Sequence, residues 1–97
     1  MEEVKLYESE FLDHWKKYKK GKTEIEIATG QRMEQAFKDM QFYSKEAKGS
    51  LEWMQQQIKE FSGKEQFKYQ DKLNKYNKVI EDMRREVNKF QVDNGYK

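Results

Sequence analysis

Between positions 33 and 90 the chain places its core candidates at alternating steps of four and three residues, with one interruption. Met33, Phe37, Met40, Ser44, Ala47, Leu51, Met54, Ile58 and Phe61 make the first run. Tyr69, Leu73, Tyr76, Ile80, Met83, Val87 and Phe90 make the second. A mean step of 3.5 residues keeps such a stripe on one helical face, so each run predicts an amphipathic helix of heptad spacing. Ser62-Gly63-Lys64 separates them, and Gly63 can take the left-handed conformation that closes a helix. Two such helices joined by so short a turn fold back on each other as antiparallel neighbours. No proline stands anywhere to break them.

The stripes mix aliphatic groups with methionines, tyrosines, a serine and an alanine. Methionine packs adaptably and tyrosine keeps its hydroxyl toward a wet edge, so this seam needs a further helix or a second subunit to close it. A further helix is available. Val4, Tyr7, Phe11, Trp15 and Tyr18 share one face of a segment spanning about 3–20, acidic at its start and lysine-rich at its end, with Gly21 as its stop. Thr23-Glu24-Ile25-Glu26 reads as a capping box, which starts the next helix near residue 24 and carries it to 61. Gly30 and the alternation of Ile25 with Ile27 also allow a short extended stretch over 24–30. The turn falls at 62–64, the last helix spans about 65–92, and 93–97 form a frayed tail. The expected fold is all-α, one domain over 1–97: a long antiparallel, coiled-coil-like hairpin protruding from a three-helix bundle completed by the N-terminal helix.

Composition narrows the function classes. The chain has 97 residues and no cysteine, so neither disulfides nor a thiolate metal site can supply stability. A second copy is the natural source of extra buried area, and a homodimer is expected. The net charge of +2 gives no global reason for binding nucleic acid or an anionic membrane. No apolar run exceeds two residues, so no transmembrane segment is expected, and the acidic start lacks a secretory signal. A cytoplasmic location is expected, with export by a signal-less route as the alternative.

No catalytic, cofactor or metal site is expected. His14 is the sole histidine, and metal sites need several convergent ligands. Serines 9, 44, 50 and 62 have no base near them in sequence, and acidic residues alternate with lysines as on a solvated face. The glycines are too scattered to cradle a phosphate.

Two features point to binding. The first is Phe42, Gly49 and Trp53, which at 100° per residue cluster opposite the heptad stripe. Aromatic rings around a small residue are typical interface anchors, so this patch is expected to meet another helix, from this chain or another. The second is Trp15-Lys16-Lys17-Tyr18-Lys19-Lys20-Gly21-Lys22. Lys16, Lys17, Lys19, Lys20 and Lys22 could contact phosphates while the two aromatics stack a base. Against that, both aromatics lie on the apolar stripe and the lysines suit a helix C-terminus.

The leading expectation is therefore a non-enzymatic interaction protein (adaptor, assembly factor, chaperone or inhibitor) that docks through helices and self-associates. A nucleic-acid accessory protein using the lysine cluster is the alternative. A third reading comes from overall plan. The length, the lack of cysteine and proline, and the helix-turn-helix layout are similar to the WXG100 proteins of type VII secretion, which implies a small exported hairpin. The turn here reads Ser62-Gly63-Lys64, and Trp53 is followed by Met54 and Gln55, so the Trp-x-Gly tripeptide of that group is absent.

Overall fold

The structure is a computed structural model that describes residues 2–95. Three helices, α1 (Glu2–Ile27), α2 (Gln31–Ile58) and α3 (Lys64–Asp93), run up, down and up. They form a rod of 51 × 21 × 18 Å. The fold is an all-α three-helix bundle, as the stripes require. Tyr96 and Lys97 of the expected tail, like Met1, lie outside the described residues.

The first boundary differs from the sequence reading by a full heptad. Gly21 does not end α1, and the Thr23–Glu26 capping box does not form. The helix continues to Ile27, and Glu24 instead pairs with Arg32 across the turn at 3.5 Å. The cause is long-range packing. Ile25 continues the series Val4, Phe11, Tyr18 at steps of seven and packs on the core. Gly21 is needed inside the helix because α2 comes so near. A Cβ there would stand 3.3 Å from Met40 Cγ and 3.4 Å from the Ala36 carbonyl oxygen. The helix-interior glycine costs about 1 kcal/mol against alanine. Close packing of the two helices offsets it.

The stop is Gly30, which has φ 62° and ψ −132°. Gly63 repeats nearly the same conformation, φ 67° and ψ −138°, before α3. This region is open almost only to a residue without a Cβ. Both interhelical turns thus use one backbone solution. With α1 longer and α2 shorter than expected, the three helices have 26, 28 and 30 residues, and no hairpin protrudes.

Both long stripes are buried or half-buried along their whole length. Phe37 against Phe90, ring centroids 4.9 Å apart, fixes the register of α2 and α3 at one end; Phe61 on Tyr69 at 5.7 Å closes the other. Ser44, the polar member, donates to the Gln41 carbonyl of its own helix at 2.8 Å. α2 also carries a second face, Ala36, Tyr43 and Ser50 at steps of seven, which receives α1. Met40, Ala47 and Met54 sit between the two faces and are almost fully enclosed.

The two seams of α1 are built differently. Toward α2 they use small residues and close approach. Toward α3 the backbones stay further apart, and rings fill the space: Phe11 meets Tyr76 at 4.6 Å. Two polar clusters sit along that seam. The Tyr18 hydroxyl donates to Glu86 at 2.9 Å, and Lys22 pairs with the same carboxylate. Toward the other end the Tyr76 hydroxyl donates to Glu8 at 2.8 Å, and Lys72 lies 3.2 Å from it. Each cluster is tyrosine, glutamate and lysine, with the donor and acceptor helices exchanged.

Burial, then the hydrogen bond to Glu8, pushes the Tyr76 phenol up to about 12. Burial and Glu86 raise Tyr18 as well. The folded chain thus holds phenolic protons that the unfolded chain releases near pH 10. The stability Tyr76 contributes is complete below that pH and is lost as pH climbs toward about 12; that of Tyr18 is lost at higher pH still. Urea midpoints measured across this range should fall steeply for wild type and less steeply for Tyr76→Phe. Gly21→Leu should cost about 1–3 kcal/mol by overpacking the α1–α2 crossing, measurable by the same denaturation.

Candidate protein-docking face

Phe42, Gly49 and Trp53 do share one face of α2, but α1 does not lie over it. α1 packs along its edge. Tyr7 of α1 stacks on the Trp53 ring at 6.1 Å and 17°, and Tyr43 meets the Phe42 ring edge-on at 5.1 Å. These contacts hold each anchor from one side only. Phe42 remains 55% exposed and Trp53 54%. Rings supported on one flank lose little side-chain freedom on binding, which favours them as contacts. Within this chain, α1 braces the patch through Tyr7 and leaves both rings half-exposed.

Gly49 is the instructive position. It sits inside α2, where glycine is unfavourable. A Cβ there would meet nothing within 4 Å. Gly21 is explained by its neighbours in the fold, and Gly49 has no such explanation. Beside it, a groove between α1 and α2 is lined by Tyr7, His14, Ser50 and Trp53, with Glu10 and Glu46 at its rim. The His14 ring stacks on Tyr43 at 6.2 Å, and its Nδ1 is buried without a hydrogen-bond partner. Among the described residues, no three His, Asp or Glu side chains converge to hold a metal ion.

The lysine cluster does not assemble as a base-stacking site. Tyr18 is 2% exposed and bonded to Glu86. Trp15 packs on Phe11, with the Lys19 ammonium 4.3 Å above its ring. Lys22 belongs to the Glu86 cluster. Lys17 pairs with Asp13 at 3.1 Å, which raises its ammonium above the ordinary value. Lys16 and Lys20 are exposed in the middle of α1. The extension of α1 to Ile27 corrects the idea that these lysines cap a helix end: the last turn of α1 carries no basic residue.

Sequence reasoning missed the second face of α2 and the seam clusters. Ala36, Tyr43 and Ser50 at steps of seven were the available signal for the first. Glu8 and Glu86 gave none, because each is one of many acidic residues at helical spacing.

No helix among the described residues is long and apolar enough to cross a membrane. Compared with known protein families, curated proteins and solved structures, the chain matches none.

Replacing Tyr7 by alanine should leave the bundle folded and free the Trp53 ring from its bracket. The double variant Tyr7→Ala, Trp15→Phe, in which Trp53 is the only tryptophan, should show red-shifted emission and readier acrylamide quenching than Trp15→Phe alone.

Proposed function

We propose that this chain is a non-enzymatic docking module that binds protein through the outer face of α2. The observation that supports this most directly is the pairing of two large, braced, half-exposed rings with a helical glycine that the monomer does not need. A large aromatic group beside a hole is the usual form of a binding hot spot. Affinity at such a face comes from ring burial, with the surrounding charges setting orientation. An adaptor, assembly factor, chaperone or inhibitor would each use it in this way.

The test is site-directed photo-crosslinking in the native cell. A photoreactive phenylalanine analogue placed at position 42 should give a discrete protein adduct. The same analogue at position 78, an exposed site on α3, should give none, and Trp53→Ala should abolish the adduct at 42 while circular dichroism stays unchanged. Equal labelling from both positions, or none from 42, refutes the assignment.

A further inference from the structure

We propose that the occupant of this face is a second copy of the chain, with α2 packed antiparallel to its counterpart about a two-fold axis at Gly49. The inference rests on the docking reading above and commits it to one partner. On a helix, residues i, i+3, i+4 and i+7 frame the hole that a side chain from a packed helix fills. Phe42, Lys45, Glu46 and Gly49 form such a frame on the exposed face. One corner lacks a side chain, so this hole admits an unusually large knob. The knob is on the same helix. Under a two-fold axis at position 49, a residue four places after the axis lies opposite the place four before it. Trp53 is that residue, and it falls at the centre of the partner's frame, beside the partner's Phe42. The symmetry fills both holes at once.

The charges follow the same axis. Before Gly49 the face carries Lys38 and Lys45; after it stand Glu52 and Glu60, all exposed. In the antiparallel arrangement Lys38 lies across from Glu60, just past the end of α2, in the other copy; Lys45 stands one place from Glu52, which has Glu46 directly across from it. Each pair occurs twice. Parallel packing would set lysine against lysine and glutamate against glutamate. The half before Gly49 also carries Glu34, 3.9 Å from Lys38, and Glu46 at the hole, so the lysines there are shared with acidic neighbours.

The experiment is light scattering after size exclusion across a range of concentrations, on wild type and three variants. Wild type should show dimer mass that dissociates on dilution. Gly49→Leu puts a side chain into the hole at a position where a Cβ meets nothing within 4 Å, and should leave the circular dichroism unchanged while weakening association by about tenfold or more. Lys38→Glu, Lys45→Glu and the reciprocal Glu52→Lys, Glu60→Lys should each be monomeric alone and dimeric when mixed. Gly49→Cys, in a chain with no other cysteine, should oxidise to a covalent dimer, and Lys78→Cys should not. Wild type that stays monomeric throughout overturns the second copy as occupant, and an adduct at position 42 with a different protein would then leave the docking reading standing. A dimer indifferent to Gly49→Leu and to charge reversal overturns it too, because the interface would lie elsewhere.

Discussion

Close approach of α1 and α2 at Gly21 sets the geometry of everything else. With Ala36 opposite and the Met40 side chain beside it, the two helices come close enough for a Gly21 Cβ to stand 3.4 Å from the Ala36 carbonyl oxygen. α3 then fills the remaining side of α1 from further away, and that seam holds the rings of Phe11, Tyr18 and Tyr76 beside Val79 and Met83. Large rings reach across the gap, and their hydroxyls meet carboxylates near its rim. Tyr18 donates there to Glu86 and Tyr76 to Glu8. Small-against-small on one edge and ring-filled on the other gives the bundle a tight side and a wide side.

The stripes over 33–61 and 69–90 made the hairpin legible from sequence, because a step of 3.5 residues admits one helical face and a short glycine turn admits one topology. The boundary between α1 and α2 was not legible. Gly21 and Gly30 are both plausible stops by local chemistry, and Thr23–Glu26 is a good capping pattern. Tertiary contact decided between them: Gly21 has neighbours that crowd a side chain, whereas Gly30 takes a backbone conformation that disfavours one. Local signals weigh each glycine alone, and only the packed bundle distinguishes a crossing point from a corner. The Tyr-Glu-Lys clusters were hidden for a related reason. Their members lie 64 to 68 residues apart, and nothing nearby in sequence marks Glu8 from Glu10.

The patch on α2 was the part of the candidate site best read in advance, since the angle of Phe42, Gly49 and Trp53 depends on helical geometry alone. Its degree of cover was not. That depended on where α1 would settle, and the longer α1 lies beside the patch, offering Tyr7 as a brace. The lysine cluster shows the opposite case. Its lysines at 16, 17, 19 and 20 line one outer surface of α1, while Tyr18 is buried and Trp15 packs half-buried on Phe11. Adjacency along the chain did not tell which members of the cluster the fold would draw into the core.

The unequal edges also give the bundle an order of opening. α1 and α2 share intimate backbone packing along their length, whereas α3 is held to α1 by side-chain tips and to α2 by a single stripe. Under thermal fluctuation or applied force, the weakest route parts α3 from the other two, beginning at the end where Val92 is exposed. Amide protons of α3 would exchange ahead of those of α2. The remaining pair keeps its outer face intact, so the part of the molecule that unravels first is the part furthest from Phe42 and Trp53.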